Sequence, residues 1–124
     1  MSQARPHILY VDDEPHNLMM FKIMFRRVYD VTTATGGQEA LNEIKGTEFD
    51  LMVTDFKMPG MNGLELTHLV REIRPSIPVI MVTGFMGMVD EEDIKSQDIE
   101  LISKPFDEQT ISGAIKEALS GNSF

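Results

Sequence analysis

The feature that most limits how this chain can fold is an alternation of short apolar runs with helical patterns, repeated five times. The runs lie at 7–11, 31–34, 49–54, 78–83 and 99–103. After the first, Pro15 stands where an opening helical turn tolerates it. Leu18, Met19, Phe21, Ile23, Met24, Phe25 and Val28 then follow at spacings that predict a largely buried helix. Ala40, Leu41 and Ile44 mark a second helix, and Leu64, Leu66, Leu69, Val70 and Ile73 a third. Ile111, Ala114, Ile115, Ala118 and Leu119 mark the last. The stretch 84–97 has two glycines, four acids and a thin stripe of Met86, Val89 and Ile94, and reads as a loop with a weak helix. Strands alternating with helices imply an α/β fold whose parallel sheet is covered on both faces. The unbroken runs Leu51-Met52-Val53 and Val79-Ile80-Met81-Val82 suit strands buried on both sides.

A length of 124 residues predicts one domain over 1–124, with the tail from Gly121 expected to fray. No apolar run approaches the roughly 18 residues of a membrane span, and residues 1–6 do not read as a signal peptide. There is no cysteine, hence no disulfide and no thiolate metal site. The expected location is cytoplasmic. The net charge of −9 would repel a phosphate backbone, so direct nucleic-acid binding is not expected.

The charge is placed unevenly. Asp12, Asp13 and Glu14 stand together directly after a strand, an unusual position for solvating charge. Doubly wound sheets bind ligands outside the carboxyl ends of their strands. Asp12 and Asp13 close the first strand, Asp55 the third and Thr83 the fourth, and Lys104 follows the fifth. Three carboxylates in one crevice repel each other and call for positive charge. Oxygen donors with no His or Cys beside them point to magnesium rather than zinc or copper. Singly, each residue has a plainer reading: Thr83 as a strand threonine, Lys104 as a surface lysine, Asp12 as a turn residue.

Together, the run Leu-Tyr-Val-Asp-Asp-Glu-Pro, the run from Asp55 through Met58-Pro59-Gly60 to Gly63, the pair Thr83-Gly84 and the run Ser103-Lys104-Pro105-Phe106 resemble the four signature segments of response-regulator receiver domains. The resemblance covers essentially the whole chain, in order and spacing. It implies a flavodoxin-like (βα)5 fold with strand order 2-1-3-4-5. It implies that Asp55 accepts a phosphoryl group and that Asp13 binds magnesium directly. Asp12 would support the ion through water, the Lys57 backbone carbonyl would add a ligand, and manganese could substitute. Thr83 would bond a phosphoryl oxygen, Lys104 would pair with another, and Gly84 would leave room for the donor. The Lys104–Pro105 peptide is expected to be cis. The implied activity is that of a signalling switch in a two-component phosphorelay, not an enzyme in the usual sense. Its partners would be a histidine kinase or histidine phosphotransfer protein and an output partner reached through the fourth helix, fifth strand and last helix. Homodimerisation would use that same face.

The sequence departs from the family at Leu101, where an aromatic that swings inward is usual, so a different readout is expected. Lys57 and Phe85 flank the path of the hydrolytic water and offer no group to orient it, which predicts slow self-dephosphorylation. The alternatives are a degenerate receiver acting as a scaffold, a haloacid-dehalogenase-like phosphatase, and a flavodoxin-type carrier. The phosphatase would want an acid where Lys57 stands. The carrier would want a Ser/Thr/Gly loop where Asp12-Asp13-Glu14 stands.

Overall fold

A computed structural model describes residues 5–84, 87 and 89–121. Five parallel strands alternate with five helices: β1 His7–Val11, α1 Pro15–Phe25, β2 Asp30–Ala34, α2 Gly37–Gly46, β3 Leu51–Asp55, α3 Gly63–Ile73, β4 Val79–Thr83, α4 Glu91–Ser96, β5 Ile99–Ser103 and α5 Glu108–Leu119. The sheet order is β2-β1-β3-β4-β5, as the resemblance implies. Ile8 pairs with Val31 on one side and Leu51 on the other, and Met81 lies between Thr54 and Leu101. All residues of β3 and β4 are buried, which explains their unbroken apolar runs.

Alternation along the strands divides the core in two. Leu9, Val11, Met52, Met81 and Leu101 face α2, α3 and α4. Ile8, Tyr10, Val53, Ile80 and Val82 face α1 and α5. Local chemistry fixes the helix starts. Asn62 accepts from the Glu65 N–H while the Glu65 carboxylate accepts from the Asn62 N–H, a capping box that opens α3. Asp107 caps α5 through the Thr110 N–H. Asp90 caps α4, whose first turn also carries Glu91, Glu92 and Asp93. Acids there favour the positive end of the helix dipole, yet α4 buries only Ile94.

Two tertiary features bear on the expectations. The first helix is not largely buried. Leu18, Phe21 and Phe25 are its buried residues, whereas Met19, Met20 and Ile23 lie on its outer face and Val28 just beyond its end, all exposed. A helix on the surface of a sheet covers its apolar residues along one stripe only, and this sequence is apolar on more than one. Second, the Arg71 guanidinium of α3 donates to the backbone carbonyls of Gln97, Asp98 and Ile77. It holds the turn between α4 and β5, where Asp98 adopts a positive φ of 61°. Met86 and the tail beyond Gly121, where fraying is expected, lie outside the described residues.

Candidate functional site

The carboxyl ends of β1, β3, β4 and β5 converge as the doubly wound topology requires. Asp12 is fully buried, Asp55 is 8% exposed and Asp13 is exposed. One oxygen of each of these three carboxylates lies within 4.8 Å of the others. The Lys104 ammonium stands 3.1 Å from Asp55 Oδ2 and 3.4 Å from Asp12 Oδ2. Its backbone N–H donates to the Thr83 carbonyl at 2.8 Å, and the bond to Pro105 is cis. Thr83 is fully buried at the end of β4. The structure thus brings Asp12, Asp13, Asp55, Thr83 and Lys104 to one end of the sheet. Lys57 is exposed in the loop after Asp55.

The backbone around Asp55 is held closely. Phe56 N–H donates to the Val82 carbonyl at 2.9 Å, and Gly63 N–H to the Phe56 carbonyl at 2.7 Å. The Thr54 hydroxyl donates to the Asp55 carbonyl at 2.9 Å. A Cβ at Gly63 would lie 2.3 Å from that carbonyl oxygen. Gly63 is therefore a packing necessity that lets α3 start against the end of β3, a role not anticipated from the sequence. Among the described residues, a Cβ at Gly84 would meet Lys104 Cβ alone, in ordinary contact at 3.9 Å.

Burial holds the Asp55 carboxyl above its ordinary range, and the Asp12 charge adds to this. The Lys104 ammonium and the Phe56 N–H oppose the rise without cancelling it. One ammonium also cannot balance three clustered carboxylates. The donor set is all oxygen, partly buried and partly open, which fits a hard divalent cation with several waters.

Two further residues touch the site. Tyr10 Oη donates to Asp12 Oδ2 at 3.2 Å, and Asn17 Nδ2 donates to the same oxygen at 3.2 Å. Asp12 Oδ1 accepts from the Glu14 N–H at 2.9 Å. Strand alternation places residues 10 and 12 on one face, a signal available in the sequence. Beside them opens a cleft of about 530 Å³, lined by Asn17, Met20, Met24, Gly84, Lys104 and Phe106 among others. The remaining histidines stay outside the site. His7 meets Thr32 at 2.7 Å, His68 bonds Gln97, and His16 is exposed.

The model of the response regulator receiver domain family matches residues 8–116. The chain belongs to that family. It is 31% identical over 121 residues to the transcriptional regulatory protein GlrR of Escherichia coli strain K12, covering 96% of this chain and 27% of that protein. It thus spans about a quarter of the length of that relative. A receiver domain protein from Methanospirillum hungatei has the same fold with a TM-score of 0.88 and 30% identity, covering 95% of this chain and 96% of that one. The response regulator TrrA of Thermotoga maritima, solved in complex with Mg(2+)-BeF, superposes with a TM-score of 0.82 at 28% identity, covering 92% of this chain and 99% of that one. This chain is accordingly a receiver domain, a signalling switch whose acidic pocket suits magnesium-dependent phosphorylation.

Proposed function

We propose that this receiver takes a phosphoryl group from a phosphohistidine on a histidine kinase or histidine phosphotransfer protein, and that Asp55 is the acceptor. The observation that carries the proposal is the pairing of the 4.8 Å carboxylate cluster with Lys104 at 3.1 Å from Asp55. An Asp55 oxygen attacks phosphorus, the bond from phosphorus to the imidazole nitrogen breaks, and its electron pair leaves with the imidazole. The product is an acyl phosphate, a known form of carboxylate covalent catalysis.

Asp13 and Asp55 would hold magnesium directly, with the Lys57 backbone carbonyl as a further ligand and Asp12 acting through water; manganese would substitute in the same oxygen shell. The ion supplies positive charge to the phosphoryl oxygens, the main catalytic need in phosphoryl transfer. Lys104 already bridges Asp12 and Asp55, so it needs only a small displacement to pair with the new oxygens. Thr83, buried at the next strand end, donates its hydroxyl to one of them. Gly84, which lines the cleft, would leave the donor its path.

The bound phosphoryl group then shifts an equilibrium between two surface conformations by making better contacts in one. The surface that responds is α4, β5 and α5, which serves an output partner or a second copy. Leu101 lies at the centre of the readout. It is already buried against the core that includes Ile94 and Ile99, so the shift runs through α4 packing and not through an aromatic swing. Self-dephosphorylation is slow, because Lys57 and Phe85 do not orient water; Phe85 lies outside the described residues. The domain works in the cytoplasm. Among the described residues, no helix is long and apolar enough to cross a membrane.

Intact-mass spectrometry after incubation with magnesium and acetyl phosphate tests the proposal. One added phosphoryl group is expected, absent from Asp55→Asn and from a chelated sample. No addition even with a phosphorylated protein donor would favour the scaffold alternative.

A further inference from the structure

Tyr10 stands out among the buried residues. It is 1% exposed near the carboxyl end of β1, between Thr33 and Val53 of the neighbouring strands. A phenol buried there needs a hydrogen-bond partner. The partner is Asp12 Oδ2, two residues along the same face. A carboxylate has only acceptor capacity, so the phenol is the donor. The ring is also fixed, stacked on Phe21 of α1 with centroids 4.1 Å apart and planes 5° from parallel.

Asp12 has its donors arranged at both oxygens. Glu14 N–H occupies Oδ1. Tyr10, Asn17 and Lys104 converge on Oδ2. These three differ in rigidity. Lys104 is shared with Asp55 and swings on a long chain. Asn17 is only half-buried. Tyr10 lines the same cleft as the other two, but it is 1% exposed and its ring is stacked on Phe21. It is the donor best able to hold the Asp12 carboxylate in one orientation while the others move.

We infer that Tyr10 is a positioning residue for the metal site, its hydroxyl orienting Asp12 toward a hydrated divalent cation, with its ring tying that orientation to α1. The inference rests on the proposed magnesium role of the acidic cluster. Partners that orient metal-binding carboxylates typically change affinity by about 10–100-fold when removed. With Asn17 and Lys104 still present, the lower end applies.

The test is calorimetric titration of the metal-free protein with magnesium. Tyr10→Phe keeps the ring and removes the hydroxyl, and is expected to weaken binding by about tenfold. Phe21→Leu loosens the ring but keeps the hydroxyl, and should lower the thermal midpoint while weakening binding less than Tyr10→Phe does. A second measurement uses the unaltered chain. It has two tyrosines, so tyrosine ring-carbon labelling gives two resonances. That of Tyr10 should move as magnesium is added and that of Tyr29 should not. Unchanged or tighter binding in Tyr10→Phe, equal loss in Phe21→Leu, or a stationary Tyr10 resonance during saturable binding would overturn the inference and leave the metal site standing. Absence of magnesium binding by the wild type would remove both.

Discussion

Replacing Gly63 with alanine adds a single methyl group, and the structure makes its consequence calculable. The new Cβ would sit 2.3 Å from the Asp55 carbonyl oxygen and 3.1 Å from Phe56 Cα, where ordinary contact begins at 3.4 Å. About 1.1 Å must therefore open between the start of α3 and the end of β3. Both neighbours are backbone, and Gly63 N–H is bonded to the Phe56 carbonyl, so no side chain can rotate away. Overpacking of this kind costs about 1–3 kcal/mol. Taking about 2 kcal/mol, and about 4 °C per kcal/mol for a domain of this size, the thermal midpoint should fall by roughly 8 °C. The displaced atoms belong to Asp55, the proposed acceptor. A misplacement of about 1 Å can slow a reaction on the order of 100-fold, so phosphorylation by acetyl phosphate should slow steeply even well below the melting range. Gly113→Ala is the matched control. It lies inside α5, where an added Cβ meets nothing within 4 Å among the described residues. That change should stabilise by about 0.5–1 kcal/mol, because alanine loses less backbone entropy in a helix. Calorimetry on the two variants, with mass-resolved phosphorylation rates, decides the matter. A Gly63→Ala protein that melts with the wild type would refute the steric argument.

Three other outcomes follow from the same geometry. The Asp55 carboxyl is raised from its ordinary value of 3.8, first by burial, so the folded state holds this proton more tightly than the unfolded state. Stability must then fall as pH rises through the window above 3.8. Metal-free Asp55→Asn should resist urea better than the wild type at pH 7, and the advantage should vanish in acid below that window; equal midpoints at both pH values would contradict it. Arg71→Ala removes donors to three backbone carbonyls. It should cost about 2 kcal/mol and speed amide exchange across 91–98, while exchange in β1 changes little. Lys57→Asn together with Phe85→Ala should raise the rate of acyl-phosphate decay on the order of tenfold, read by loss of the added mass; an unchanged rate would show that another step limits hydrolysis.

Much of this protein is legible in its sequence because the relevant signals are local. Runs buried on both sheet faces mark β3 and β4, and turn chemistry marks the loop from Pro59 to Gly63. The rule that ligands sit beyond strand carboxyl ends locates Asp12, Asp55, Thr83 and Lys104 before any geometry is known. Other features depend on which surfaces meet. Periodicity lists the apolar residues of α1 but does not say which stripe the sheet covers, so Met19 and Ile23 read as core and lie outside. The pairing of Tyr10 with Asp12 follows strand alternation, but the stacking of Phe21 on that ring appears only in the folded chain. Arg71 looks like an ordinary helix-surface cation until the turn at Asp98 brings carbonyls to it. Gly63 looks like a turn glycine until β3 comes within contact distance. The sequence by itself determined the elements, their order and the chemical types at the site, since these follow from residue spacing and composition. Only the tertiary structure decided which donors each carboxylate faces. Lys104 reaches Asp12 across 92 positions of chain, and a contact at that separation exists only once the sheet has closed.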